Sequence, residues 1–323
     1  MKTETAMWDG RDVSAGRGAD SGEPREAAAP LVSVVIPTFN RAGRVANALR
    51  SVLAQTYTNL EILVVDDAST DRTADAVGSF ADPRIRYLRH GSNRGGAAAR
   101  NTGIRAAAGE VIAFLDDDDE WLPQKVEEQL RWLDRFDAVV CASTDSRGAI
   151  TPRPRGGRLT LNELRHGPWG GTGVLMAKAG LIRETLFDEE LARGQDWDLF
   201  IRIALKREIA YLDKPLLRYD AGVHDRITNR LSRVSVREMA HQLRVIEKHR
   251  PLFGEKWFHR RMCEALLYDF GRRKDRAGVL VHAARSHGWL NVVRILMMRL
   301  RERIRRVTAR GATGWRIPKA LQP

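Results

Sequence analysis

LVSVVIP, Leu31–Pro37, is an apolar run interrupted only by Ser33 and closed by a proline. It has no polar alternation, so both of its faces must be covered, as in a strand of a parallel sheet packed between helices. The chain around it repeats the theme. Arg44–Gln55, RVANALRSVLAQ, places Val45, Leu49, Val52 and Leu53 at helical spacing. LEILVVDD (Leu60–Asp67) is a second buried strand, TADAVGSF (Thr73–Phe80) a short helix and IRYLRH (Ile85–His90) a third strand. GGAAARNTGIRAAAG (Gly95–Gly109) is an Ala-rich helix with glycines at both ends, and EVIAFLDDDD (Glu110–Asp119) is a fourth strand. Such alternation predicts an α/β fold, a Rossmann-like and mostly parallel central sheet flanked by helices.

Beyond it, PQKVEEQLRWLDRF (Pro123–Phe136) reads as a helix and DAVVCAS (Asp137–Ser143) as a strand. Residues 145–160 form a loop, GTGVLMAKAGL (Gly171–Leu181) a strand and turn, and DWDLFIRIALKR (Asp196–Arg207) an amphipathic helix. From about Arg233 the pattern is helical and basic. The expected organisation is a disordered lead-in over 1–30, a catalytic domain over 31–230 and a basic helical C-terminal region over 231–323.

The 323 residues carry 54 Lys and Arg against 41 Asp and Glu, a formal charge of +13. That excess favours an anionic partner, whether nucleotide phosphate, acidic lipid or nucleic acid. With 43% hydrophobic residues the chain can fill a core. Cys141 and Cys263 match no zinc spacing, which favours a reducing compartment. No run reaches the ~18 apolar residues of a membrane span, and the N-terminus lacks a signal-peptide core. The expected location is cytoplasmic, with peripheral contact at the inner face of the membrane.

In this basic chain the run Asp116–Glu120, DDDDE, stands directly at a strand's carboxyl end. Ligands of open α/β sheets bind on that rim. Thr38-Phe39-Asn40-Arg41 and Asp66-Asp67 close the first and second strands, so three strand ends meet there. Close carboxylates repel unless a cation neutralises them, and Mg²⁺ or Mn²⁺ takes carboxylates together with substrate phosphates. The spacing of an EF-hand is missing, as are the P-loop and the G-x-G-x-x-G dinucleotide fingerprint. A nucleotide must therefore be held by other groups. Asp67 is a candidate acceptor for a base N–H or ribose hydroxyl; the competing role for Asp66-Asp67 is a turn with Ser69 and Thr70.

VSVVIPTFNR, LEILVVDDASTDRT, NRGGAAARNTGI, AFLDDDDEW and GQDWDLFIRI occur in this order and together resemble the family 2 glycosyltransferases of GT-A fold over roughly residues 31–230. The resemblance implies that Pro37, Thr38, Asn40 and Arg41 line the nucleotide base and that Asp67 pairs with it, most often with uracil. It implies that Asn93 and Arg100 help hold the nucleotide. Asp116, Asp117 and Asp118 take the place of the D-x-D motif. Asp118 contacts the metal, Asp117 meets ribose or sugar hydroxyls, Asp116 supports the metal site, and Asp119 caps the next helix. Asp196 stands where the family has its catalytic base, with Gln195 replacing the preceding acid and Trp197 on the acceptor side. A helix N-cap is the competing role for Asp196, and core packing is the one for Trp197. AGVHDRITNR resembles a Gly-Gly-His motif, with Val223 in place of the second glycine. It offers His224 to the metal and Arg226 to phosphate.

The implied reaction moves a sugar from a nucleoside-diphosphate sugar, UDP-linked by preference, to an acceptor hydroxyl. A divalent cation, Mn²⁺ or Mg²⁺, steadies the leaving diphosphate, and Asp196 takes the acceptor proton. A single displacement inverts the anomeric carbon. The setting is cell-surface glycan or polysaccharide synthesis, with a glycan or lipid-linked acceptor. The competing classes are a catalytically inactive binding module for sugar nucleotides or nucleic acid, and a nucleotidyltransferase. Gly288–Arg310, GWLNVVRILMMRLRERIRRVTAR, sets Leu290, Val293, Leu296, Met297, Leu300, Ile304 and Val307 at helical spacing among arginines. Such a helix either lies on an anionic membrane or packs on the catalytic domain. Nucleic acid is disfavoured, since no aromatic interleaving or recognition motif accompanies the charge.

Overall fold

Strand β1 (Val32–Thr38) is buried along its whole length, and the rest of the sheet is laid out around it. The computed structural model describes residues 29–145, 148–150, 157–220, 235, 238–239, 242–268, 270–273 and 275–312. Residues 1–28 of the expected lead-in and the His224–Arg226 motif fall outside them. β1 lies between β2 (Leu60–Asp66) and β4 (Val111–Phe114), parallel to both, and β2 pairs in parallel with β3 (Ile85–Arg89). Each buried Val, Ile or Leu contributes ~1.5–3 kcal/mol by leaving water, which explains why aliphatic side chains dominate β1, β2 and β4.

The crossovers are α1 (Ala42–Leu53), α2 (Thr73–Gly78) and α3 (Gly96–Ala106). α1 buries Val45, Ala48, Leu49 and Val52, one face of a helix. α3 lies so close to β1 that a Cβ on Gly103 would stand 2.4 Å from Val35 Cγ1. Only glycine permits that approach.

The second half adds β5 (Glu120–Trp121), α4 (Lys125–Leu133), β6 (Ala138–Asp145), β7 (Arg158–Leu159), α5 (Leu161–Leu164), β8 (Leu175–Lys178), α6 (Ala179–Thr185), α7 (Gln195–Ala204) and β9 (Ile209–Tyr219). The sheet order is β3-β2-β1-β4-β8-β6-β9-β5, with β7 on β9. β8 is antiparallel to β4 and β6, and β5 and β7 are antiparallel to β9. The other strands run one way, so the sheet is mostly parallel. Two register shifts in the β6–β9 pairing flank Ala142, whose partner is Pro215, and a proline there cannot donate to the ladder.

Helices α8 (Arg244–Lys248), α9 (Arg250–Phe253), α10 (Glu255–Leu266), α11 (Arg276–His287) and α12 (Trp289–Ala312) follow. They share one core with the sheet domain: Trp257, Phe258 and Met262 join the cluster that contains Leu164 and Trp197. α12 packs through Val292 and Ile295. The stripe of Leu290, Val293, Met297, Leu300 and Ile304 faces outward, and Leu290 is 73% exposed. Among the described residues no helix is long and apolar enough to cross a membrane.

Candidate active site

The parallel register sets the site. Thr38 pairs with Asp66 across β1 and β2. β4 ends opposite Val35, and the Leu115 N–H still reaches the Val35 carbonyl at 3.1 Å. The acidic run therefore continues alongside Ile36–Arg41. Thr38 Oγ1 donates to Asp117 Oδ2 at 2.8 Å. Arg41 Nη1 lies 2.8 Å from both Asp117 Oδ1 and Asp118 Oδ2. Burial pushes the Asp117 carboxyl up to about 6, against the pull of Arg41 and Thr38. Burial works against the Arg41 charge too, but Asp117 and Asp118 outweigh it and raise its pKa.

Asp116 turns toward a second guanidinium. Arg100 Nη2 donates to Asp116 Oδ1 at 2.6 Å, and Arg100 Nη1 reaches Gln195 Oε1 at 3.5 Å. Arg100 lies over the Phe187 ring, and its Nε is buried without a hydrogen-bond partner. Gln195 opens α7, and Asp196 follows it. Burial pushes the Asp196 carboxyl above its ordinary value; the Trp197 N–H and the Arg100 charge oppose this, and Asp116 adds to it. One arginine thus ties the acidic run to the start of α7. The N-cap of α7 is Gly194 with φ 70°, so Asp196 sits inside the first turn and is not the cap.

Asp67 is 3% exposed. Its Oδ1 accepts from His90 Nδ1 at 2.7 Å and the Arg94 N–H at 2.8 Å, and its Oδ2 from the Gly95 N–H at 2.7 Å. These three bonds leave one acceptor site on Oδ2 for a further donor. Asn93 Nδ2 donates to the Asp67 carbonyl at 3.2 Å, so the loop before α3 folds onto Asp67. Asn40 has φ 52°; its N–H donates to Ser69 Oγ at 2.8 Å, and its Oδ1 accepts from the Thr70 N–H at 2.7 Å. It braces two loops of the rim. Pro37 is buried within β1.

Two expectations are corrected. Trp197 is 3% exposed, donates Nε1–H to the Leu164 carbonyl at 2.7 Å and has Arg261 over its ring at 5.3 Å. It is a core residue and offers no face to a sugar. Asp119 does not cap α4, whose N-cap is Gln124; it accepts from the Asp220 N–H at 3.1 Å instead. His224 and Arg226 lie outside the described residues.

Several contributors were not anticipated. His90 holds Asp67, and the basic-aromatic end of β3 was its only signal. Asn47 and Asp220 join Arg44, Asp117, Asp118 and Asp119 around a cleft of about 180 Å³. Asp198 is fully buried among Arg202, Lys248 and His249, at 2.7, 2.8 and 2.9 Å, and those partners hold its carboxyl down to about 2 against burial.

Among the described residues no three His, Cys, Asp or Glu side chains gather to hold a metal. Asp116 and Asp118 are hard oxygen donors on the rim, which fits a cation held by one or two carboxylates together with phosphate oxygens.

The family profile described as glycosyl transferase family 2 matches residues 33–190. A protein of Escherichia coli K12 assigned to colanic acid biosynthesis as a glycosyl transferase, WcaA, is 35% identical over 55% of this chain and 67% of its own length. The chain belongs to glycosyl transferase family 2. An uncharacterized glycosyltransferase of Rickettsia felis is 37% identical over 57% of the chain, but the match spans only 32% of that protein. The Escherichia coli UDP-Glc:alpha-D-GlcNAc-diphosphoundecaprenol beta-1,3-glucosyltransferase WfgD is 45% identical over 32% of the chain and 41% of its own length. The chain thus spans about a third of the first and two-fifths of the second. In fold it is similar to S. aureus TarS 1–349, solved with UDP-GlcNAc, at TM-score 0.56 and 17% identity over 81% of this chain and 89% of that one. It is also similar to the Pyrobaculum calidifontis mannosyltransferase PcManGT, solved with GDP-Man and Mn²⁺, at TM-score 0.55 and 23% identity over 84% and 80%. The fold is of the GT-A type, as in these two structures.

Proposed function

We propose that this enzyme transfers a sugar from a UDP-sugar to an acceptor hydroxyl, with inversion, in the synthesis of a cell-surface glycan. The observation that carries the proposal is Arg100, which hydrogen-bonds both Asp116 of the acidic run and Gln195 beside Asp196. A donor diphosphate at the acidic run and an acceptor at α7 would then lie on either side of one arginine. Asp196 accepts the acceptor proton, and its raised pKa suits a general base. The attack comes from the face opposite the leaving group, which inverts the anomeric carbon. Arg41 and Arg100 orient and neutralise the acids. Thr38 fixes the Asp117 rotamer, while Asn40, Asp67 and Asn93 hold the nucleotide-side loops. A divalent cation, Mn²⁺ or Mg²⁺, held by Asp118 and Asp116, would supply charge stabilisation to the departing diphosphate. His224 is the candidate third ligand and Arg226 the candidate phosphate contact.

The UDP donor is supported by WfgD, whose name specifies UDP-Glc and a diphosphoundecaprenol-linked acceptor. A lipid-linked acceptor gives the outward apolar stripe of α12 a purpose. With Arg294 and Arg301 on the same helix, it would rest on anionic lipid at the inner membrane face.

The test is calorimetric titration of UDP into the protein with and without Mn²⁺, for wild type and Asp118→Ala. Metal-dependent binding that disappears in the variant is the expected result. Absence of UDP binding under every metal condition would remove the uridine assignment.

A further inference from the structure

A cavity of about 370 Å³ lies behind α7, lined by Arg165, His166, Lys256, Trp257, Arg260, Arg261, Glu264 and Met298. Four permanent cations face a single carboxylate. Arg260 Nε meets Glu264 at 2.9 Å, and Arg261 Nη1 also donates to Glu264, so that one acid is shared between two arginines. Among the described residues the side chains of Arg165 and Lys256 have neither ion pair nor hydrogen bond. The Nε of Arg261 is buried and without a partner. A buried N–H left unpaired costs ~1–3 kcal/mol, and uncompensated cations in a concave wall concentrate positive potential. An anion held between these side chains would meet that uncompensated charge.

The floor of the cavity is packed against the sheet domain. Trp257 Nε1 donates to the Arg165 carbonyl at 2.7 Å, and the Trp257 and Trp197 rings lie 6.1 Å apart. Arg261 stacks over Trp197, the residue after Asp196. The cationic wall is therefore attached to the same turn of α7 that carries the base. A second cavity of about 220 Å³ shares Arg260, Glu264 and Met298 and is completed by Asn291, Arg294 and Ile295 of α12. It leads from the cationic wall toward the helix whose apolar stripe faces outward.

We propose that this cavity binds the phosphate or diphosphate group of the acceptor, so that the acceptor's anionic linkage is anchored at Arg165, Lys256 and Arg261 while its sugar hydroxyl reaches Asp196. The ligand's identity rests on the glycosyltransferase assignment above; the anion site itself does not. The same chemistry could come from the headgroups of membrane phospholipids, and the experiment separates the two.

Inorganic pyrophosphate is titrated into the full chain with the donor site saturated by UDP, for wild type and Arg165→Ala/Lys256→Ala. Both replaced side chains are exposed, and UDP affinity serves as the control for folding. The expected result is saturable pyrophosphate binding that weakens at least about tenfold in the variant, since each lost charge-assisted contact is worth that much or more, with UDP affinity unchanged. Equal pyrophosphate affinity in the two proteins, or no saturable binding in wild type, overturns the proposal. In a parallel arm, both proteins are floated on vesicles of phosphatidylglycerol in phosphatidylcholine. Equal flotation is expected. Lost flotation with unchanged pyrophosphate affinity would make the cavity a headgroup contact and overturn it. Failure of wild type to bind UDP would undo the donor assignment and leave the pyrophosphate comparison standing.

Discussion

Arg41 holds Asp118 at 2.8 Å through the same nitrogen that holds Asp117. The acid concentrated at this point in a basic chain is met by two arginines from elsewhere in the fold, Arg41 at the start of α1 and Arg100 on α3. The buried member, Asp117, depends most on that arrangement. Arg41→Ala is expected to leave Asp117 buried without its cation and to lower stability at pH 7 by ~1–3 kcal/mol. Asp117→Asn in the same chain should restore part of the loss. Thermal melts of the single and double variants check both.

Asp196→Asn should lower kcat by ~10²–10⁴-fold, the usual contribution of a positioned base, with UDP affinity unchanged. The base acts deprotonated and burial raises its pKa. Wild-type kcat/KM should therefore fall on an acid limb that lies above the ordinary range of aspartate. A pH–rate profile locates it; a limb at or below that range removes Asp196 from the role.

Lys125 is fully buried, with Nζ 2.6 Å from Gln129 Oε1 and 4.1 Å from the centre of the Trp121 ring, and burial lowers its pKa to about 8. Between pH 8 and 10.5 the unfolded chain binds the proton and the native one does not, so stability from this group rises with pH across that window and is lost as pH falls through it. Lys125→Met should stabilise the protein at pH 7, by up to ~3 kcal/mol, and should flatten that slope. Denaturant midpoints of both proteins at pH 7 and 10 test this.

Gly103→Ala should destabilise despite the better helix propensity of alanine, worth ~1 kcal/mol. The new methyl meets Val35 at 2.4 Å, and overpacking costs ~1–3 kcal/mol. Val35→Ala in the same chain should recover part of the loss. A double-mutant cycle in urea measures the coupling.

The first four strands were legible because continuous Val and Ile runs allow one arrangement, a sheet covered on both faces. Their carboxyl ends then located the rim. β9 was not legible: Pro215 and the register shifts opposite Ala142 break the pattern by which a strand is recognised. Within the site, residue type alone did not give direction. Trp197 and Asp196 are neighbours on one helix turn, and only the packing of Trp257 and Arg261 turns the tryptophan inward. Asn40 looked like a ligand contact, but its left-handed backbone aims its amide at Thr70. Asp67 looked like a free acceptor because its partners, His90 and the Arg94 and Gly95 amides, come from a segment more than twenty residues away.

Asp198 has a bearing on how such an enzyme can be rebuilt. The family match stops at residue 190, and the carboxylate two positions past the proposed base is held by Arg202 of α7 together with Lys248 and His249, some fifty residues further along the chain. A chimera joined near residue 190 would inherit a donor half in working order. Grafted without residues 244–249, it would leave the buried Asp198 with Arg202 of its own helix as its one remaining partner among the three. The natural module for exchange is therefore α7 together with the helices that close over it, and acceptor preference should travel with that unit.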